Sequence, residues 1–378
     1  MDRLVVPWEE EYELLDEEFQ SGQELVKQLA SIFTDYVELP DKAERLLALW
    51  VLHTYTIGET RVNPLLYIYS PQMRCGKTTL LTVINNLVNR PMQVSGMSSA
   101  ALYRSVEEWQ PTLLLDEADS FLKAKSDSAE ALRGIINSCW TVESAWKAVC
   151  VGKSHKVMAF PTYTPIAIAG IGNLEKTFVT ISDRSIVIKL ERKLNTKKLK
   201  RLTNDLDSKK AFNFIKEQCF TWASKHGETV GGYQQMEAKW FEGMDDRTRD
   251  NYEVLNAIAR ACLFDSSWLT EAYKANAYRI EDENTDNLLL QDIYWVFDNK
   301  AKDFLPTQTI LDYLAEIQDR PWGTWNHGFP ISAHALARKL KGYGIKPKKK
   351  RTGEHIARGY YFDENFKEQL RRYCQVDV

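Results

Sequence analysis

Gly76, Lys77, Thr78 and Thr79 close the run Tyr67 to Thr79, which reads Y-I-Y-S-P-Q-M-R-C-G-K-T-T behind the apolar residues Leu65 to Tyr69. This is the pattern of a strand, a tight loop and a helix start. Such a loop aims successive backbone N–H groups and the positive end of a helix at one spot, which suits the phosphates of a nucleotide. Lys77 is then placed to reach the β- and γ-phosphates and the Thr78 hydroxyl to sit on Mg²⁺, with Ser70, Pro71, Arg74, Cys75, Gly76 and Thr79 lining the cradle. Ser70 departs from the pattern G-x-x-x-x-G-K-[ST] by standing where its first glycine belongs. A Gly-capped turn before an ordinary basic helix start is the competing reading.

A second run answers it. Pro111 to Asp119, P-T-L-L-L-D-E-A-D, is an apolar strand ending in carboxylates. In that arrangement Asp116 belongs to the Mg²⁺ shell and Glu117 polarises an attacking water, so the pair of motifs points to nucleotide hydrolysis with ATP and Mg²⁺. The letters of Asp116-Glu117-Ala118-Asp119 spell a known RNA-helicase signature by coincidence, because the Ser-Ala-Thr and H-R-x-G-R motifs that such enzymes also need are missing.

The elements that must hold these residues follow from periodicity and punctuation. A helix is expected from Lys77 to about Val88, a strand at Met92 to Val94, a helix at Ser98 to Glu108 and the acidic strand at Pro111 to Asp116. The acidic strand comes third, which leaves room for another strand between it and the phosphate-loop strand and predicts a mainly parallel sheet with crossover helices. Ser126 to Ser138 reads as a helix. Trp146 to Val151 and Lys156 to Phe160 read as a hairpin around Gly152-Lys153-Ser154-His155, with a basic tip. Strands at Pro165 to Ala169 and Ile186 to Leu190 complete the sheet. Before it, the acidic stretch Glu9 to Glu18 leads into a helix toward Phe33, and Pro40-Asp41 opens a second, apolar one up to Tyr55. After it come helices at about Lys209 to Lys225 and Arg247 to Phe264. The expected domains are a helical region over 1–60, an ATPase core over 61–193, a helical lid over 194–280, and, over 281–378, three helices with a basic two-stranded wing, a winged helix-turn-helix.

Composition bounds the rest. The chain has 378 residues, 44% hydrophobic and 27% charged, with 49 basic and 52 acidic residues for a formal net charge of −3. Any nucleic-acid surface must therefore be local. Six cysteines without a C-x-x-C pair argue against a zinc knuckle or a disulfide framework. The acidic start and the lack of a long apolar run predict a cytoplasmic protein without a membrane anchor.

Several stretches resemble the DUF3631 ATPase domains of phages and integrative elements, over about residues 30 to 375: Tyr36-Val37-Glu38-Leu39-Pro40, Leu49 to Thr54, Ser70-Pro71, Gly76-Lys77-Thr78, Gln110 to Asp119, Leu132-Arg133-Gly134, Ile168 to Gly172 and Asp183 to Ile188. Serine in place of the first glycine is usual in that family. More distantly the chain is similar to AAA+ helicases of the superfamily 3 and replicative type. The Asn137 to Trp146 segment lacks the Gly/Arg-rich stretch expected there. The resemblance implies an AAA+ P-loop core in an α/β fold, a homo-oligomer, a hexamer in particular, acting on DNA, and priming supplied by a separate primase or replication protein. It implies Asn173 as the polar sensor of the γ-phosphate, Arg184 as a finger reaching a neighbouring subunit, and Arg247 or Arg249 as a second sensor. It also implies that Lys153, His155 and Lys156 meet DNA in a central channel; the basic run on the wing, by its own charge and position, adds Lys348, Lys349 and Lys350 as DNA contacts. A helicase or translocase of a mobile element is the implied function. A DNA-bound switch or defence NTPase without unwinding, and a winged helix that docks protein, are the alternatives.

Overall fold

The structure is a computed structural model and describes residues 21–70, 74–122, 124, 126–152, 155–171, 179–190, 198–203, 205–234, 244–273, 285–317, 320–325, 328–341, 343–352 and 355–374. Pro71, Lys153 and Asn173 lie outside these, as does the acidic stretch Glu9 to Glu18. The chain divides into two compact units, Met1–Asn276 and Ala277–Val378.

The first unit is built on five parallel strands: β1 (Leu65–Ser70), β2 (Pro91–Val94), β3 (Thr112–Leu115), β6 (Ile166–Ile171) and β7 (Ser185–Lys189). Their order across the sheet is β2-β3-β6-β1-β7. Strands covered on both faces need apolar residues throughout rather than in alternation, and β1 is buried along its whole length. Leu66 and Ile68 enter the core on one face while Leu65, Tyr67 and Tyr69 enter the other.

The first face is covered by α1 (Gly22–Tyr36), α2 (Ala43–Thr56), α3 (Lys77–Asn85), the long α8 (Leu206–Gln234) and α9 (Asp246–Ala261). Ser21 caps α1, its Oγ accepting from the Glu24 N–H. Leu46, Leu47, Leu49, Trp50 and Leu52 of α2 are all fully buried, the signature of a helix with neighbours all round. Residues before 60 and after 200 thus share one core. A buried polar knot ties α2 to the sheet. Asn63 Nδ2 donates to the Cys139 and Thr164 carbonyls, so its Oδ1 is left to accept from His53 Nε2 at 3.0 Å.

On the other face lie α4 (Ser99–Trp109), α5 (Ala118–Leu122) and α6 (Asp127–Ser138). The expected hairpin forms from β4 (Trp146–Val151) and β5 (Lys156–Pro161), with Val151 opposite Lys156. Its inner face rests on α4 through Phe160, which packs against Tyr103. A short helix α7 (Val179–Ser182) precedes β7, and a helical segment α10 covers 268–273.

The second unit holds α11 (Thr285–Lys300), β8 (Phe304–Pro306), α12 (Thr307–Glu316), α13 (Ala333–Lys341), β9 (Lys348–Thr352), β10 (His355–Tyr361) and α14 (Glu364–Cys374) around its own core. The expected two strands are joined by β8, giving an antiparallel sheet of order β8-β10-β9. Gly359 permits this, since a Cβ there would lie 2.1 Å from the Leu305 carbonyl oxygen. Three residues between two helices carry too short a pattern to announce a strand, so the sequence reading missed β8.

Candidate nucleotide-phosphate site

Parallel strands present all their C-terminal ends along one sheet edge, where open α/β sheets bind ligands. Ser70 ends β1 on that edge and pairs with Ile171 of β6, and Leu115 of β3 pairs with Ile168. Asp116 follows Leu115 directly. One strand, β6, lies between β1 and β3, so the two motifs are two strand spacings apart, about 10 Å.

The loop turns into α3 at Gly76, whose φ of 87° is open to glycine at little cost. Arg74 also has a positive φ, 63°. Lys77 Nζ donates to Ser70 Oγ at 2.5 Å, so the residue standing where the pattern has glycine orients the ammonium. Thr78 is exposed and Cys75 is buried beneath the loop.

Asp116 Oδ1 accepts the Glu117 N–H at 2.9 Å. Glu117 takes a φ of 51° and is exposed. The chain thereby breaks out of the strand and sends the Glu117 side chain away from the ladder, at a cost of roughly 1 kcal/mol or more for a non-glycine residue. Among the described residues no group of three or more His, Cys, Asp or Glu side chains gathers into a metal site. One hydroxyl and one carboxylate suit a Mg²⁺ ion carried with nucleotide phosphates, because that ion binds few protein ligands, and Thr78 with Asp116 supplies that donor set.

Beside the loop opens a cleft of about 700 Å³ lined by Tyr36, Val37 and Glu38, by Arg74 to Gly76, and by Leu199 to Leu202. Lys200 fastens the last of these walls: its N–H donates to the Asp35 carbonyl and its Nζ to Asp35 Oδ2 at 2.7 Å. The volume is in the range of small-molecule sites. Sequence reasoning did not find this wall, since residues 36 and 200 meet only in the folded chain.

Arg184 lies at the other end of the sheet. Its carbonyl accepts the Leu65 N–H at 2.9 Å, level with the start of β1, whereas the phosphate loop follows the end of that strand. Six residues of strand separate them by roughly 17 Å, further than an arginine side chain spans. Arg184 Nη1 donates to the Thr180 carbonyl and its guanidinium lies 5.5 Å from the Trp140 ring centroid. Arg247 is at this same end, bound to Asp183 at 2.5 Å. The structure therefore does not bring Arg247 to the phosphate loop of its own chain. Arg249, the other candidate for a second sensor, pairs with Asp246.

Of the basic surfaces, His155 and Lys156 are exposed at the hairpin tip, and the stem behind them presents Trp146, Ala148, Cys150, Val157 and Ala159 to solvent. In the second unit, strand alternation divides Lys348, Lys349 and Lys350. Lys348 pairs with Asp363, and Lys350 lies over the Phe304 and Tyr361 rings. Lys349 belongs to the opposite face and stands directly across from Arg358. Among the described residues no helix is long and apolar enough to cross a membrane.

No curated protein matches this chain. Among solved structures it is similar to the C-terminal region (305–718) of NrS-1 in its apo form, at 14% identity over 92% of this chain and 77% of that one, with a TM-score of 0.43. It is similar to SCCmec type IV Cch, described as an active helicase, at 11% identity over 94% and 69%, TM-score 0.39. The ORC2 protein of Aeropyrum pernix, in ADPNP and ADP complexes, matches at 13% identity over 91% and 97%, TM-score 0.26. Residues 189–373 match the family model described as a protein of unknown function, DUF3631; the match covers the second half of the span from about 30 to 375, and the stretches on which the resemblance rests, Tyr36 to Ile188, all lie before it.

Proposed function

We propose that this chain is a Mg·ATP-hydrolysing AAA+ motor of the replicative helicase or translocase type, working on DNA as a homo-hexamer in the cytoplasm for a phage or other mobile element. The observation that carries this reading is the strand order, which sets the end of β1, where Ser70 accepts from Lys77, about 10 Å from the end of β3, where Asp116 follows, room for a terminal phosphate, one ion and one water. Lys77 neutralises the outer phosphates, Thr78 and Asp116 would hold Mg²⁺, and Glu117 orients and deprotonates the water. Asn173 senses the γ-phosphate. The cleft between Tyr36 to Glu38 and Leu199 to Leu202 takes the base.

Arg184 is out of reach of its own loop, which supports its acting on a neighbour's nucleotide. The tip residues Lys153, His155 and Lys156 follow the DNA backbone. The C-terminal unit is a winged helix, and its positively charged pair Lys349 and Arg358, held side by side without a carboxylate across from either, is relieved by a phosphate. The deciding experiment measures ATP hydrolysis and strand displacement on forked DNA in parallel. Displacement that requires hydrolysis supports the motor; DNA-stimulated hydrolysis with no displacement replaces it by a DNA-bound switch.

A further inference from the structure

Phe329 is 70% exposed, more than any other phenylalanine or tryptophan among the described residues, whereas Phe297, Phe304 and Phe366 of the same unit are buried. The backbone on both sides of it is tied down. The Gly328 N–H donates to the Thr324 carbonyl and the Ile331 N–H to the Trp322 carbonyl at 2.8 Å, and Gly328 takes a φ of 96°, which glycine adopts at little cost. Trp322 and Ile331 belong to the core of the unit, and Trp322 Nε1 donates to the buried Asp292 carboxylate at 2.6 Å. An anchored loop therefore holds an apolar ring out in water, where it adds little to the unit's own core.

The surrounding sequence is cationic. Residues 320–353 include nine Lys and Arg and no Asp or Glu. α13 starts just past Phe329, at Ala333, and exposes His334, Arg338 and Lys341 at the spacing of one helix face. The loop touches this helix: Lys339 Nζ lies 4.7 Å from the Trp325 ring centroid, and the Trp325 ring stacks on Trp322. Lysine is depleted where proteins bury surface against one another, so the charge argues against a protein as the ring's partner. A nucleic-acid strand with an accessible base engages both the cations and the ring.

We propose that Phe329 stacks on an unpaired DNA base, so that the second unit binds a junction of duplex and single strand in preference to continuous duplex. The proposal rests on the reading of this unit as DNA-binding. Inside a duplex the faces of each base are covered by its neighbours, and the first unpaired base is the one that offers a face to a side chain. Phosphate contacts by Lys349 and Arg358 hold DNA of any form, and Phe329 marks the place where the strands part.

Equilibrium binding by the full chain without nucleotide tests this. The probes are a continuous duplex and the same duplex ended by a 5′ or a 3′ single-stranded tail, with 2-aminopurine at the first unpaired position. The wild type should prefer a tailed DNA. Phe329→Ala should lower the affinity for that DNA about tenfold, the scale of one stacked base, and leave the continuous duplex and the salt dependence of both unchanged, since no charge is lost. Phe329→Trp should keep the preference. The 2-aminopurine emission should change on binding by the wild type and Phe329→Trp but not by Phe329→Ala. Trp295→Ala, which removes an exposed ring from α11 instead, should leave every reading unchanged. Equal wild-type affinities for tailed and continuous DNA overturn the proposal, as does an equal loss on both in Phe329→Ala or an equal effect of Trp295→Ala. Unchanged binding to both DNAs in Phe329→Ala also overturns it and assigns the ring to a protein partner. A wild type that binds none of these DNAs overturns the DNA reading underneath.

Discussion

Lys77 Nζ donates to Ser70 Oγ across the phosphate loop. The residue that breaks the expected glycine pattern is thus a partner of the lysine that the pattern exists to present. Lys77→Ala should abolish nucleotide binding, because the outer phosphates lose their cation. Ser70→Ala should keep binding and change the affinity by about tenfold or less, the scale of one hydrogen bond to a charged group. Titration with a fluorescent ATP analogue checks both, and loss of binding in Ser70→Ala equal to that in Lys77→Ala would rule out this division of roles.

Glu117 combines a positive φ with an exposed carboxylate. Glu117→Gln should retain ATP while hydrolysis falls by roughly 10²- to 10⁴-fold, the usual contribution of a general base. Glu117→Gly should be equally inactive yet more stable to urea by up to about 1 kcal/mol, since glycine takes that φ without strain. Normal hydrolysis in the glutamine variant removes Glu117 from the mechanism.

Lys349 and Arg358 face each other across two strands, while Lys348 and Lys350 lie on the opposite side among Asp363 and aromatic rings. Replacing Lys349 and Arg358 by alanine should flatten the salt dependence of duplex binding by about 1.8 in log-log slope, two lost phosphate contacts. Replacing Lys348 and Lys350 should alter it less. Equal slopes for wild type and the Lys349, Arg358 variant would favour a protein-docking role for this unit.

His53 is fully buried, and that burial lowers its pKa to about 4 despite the opposing bond to Asn63. Its unfolded value is near 6.5. Above that pH neither state is charged and the residue contributes no pH dependence. Between about 6.5 and 4 only the unfolded chain takes up the proton, so stability falls as pH falls, by roughly 2 kcal/mol between pH 7 and pH 5. His53→Gln, which can still donate to Asn63, should flatten this part of the profile. Urea unfolding at the two pH values measures it, and an unchanged difference in the variant would assign the acid sensitivity to other groups.

The strand and helix joined at Gly76, the acidic strand end and the hairpin were legible in the sequence because each is set within a few residues of chain. Gly76 takes a backbone conformation that glycine favours, the β1 and β3 runs are apolar enough to be covered on both faces, and Gly152 with φ of 71° turns the hairpin. The third place of the acidic strand even left room for a strand beside β1. The sequence could not say which helices share a core or which charges meet. That α1 and α2 pack with α8 and α9 depends on apolar faces some 170 residues apart burying one another, and the wall of the cleft at Lys200 depends on the same packing. Asp183 has Arg184 beside it in the chain, the charge nearest to it in sequence. Tertiary structure decided otherwise: Arg184 is drawn to Trp140 and the Thr180 carbonyl, and α9 delivers Arg247 to Asp183 from 64 positions away. Local sequence sets backbone conformation and burial pattern, but an ion pair forms between whichever charges the packed elements bring within reach, and that is a property of the whole fold.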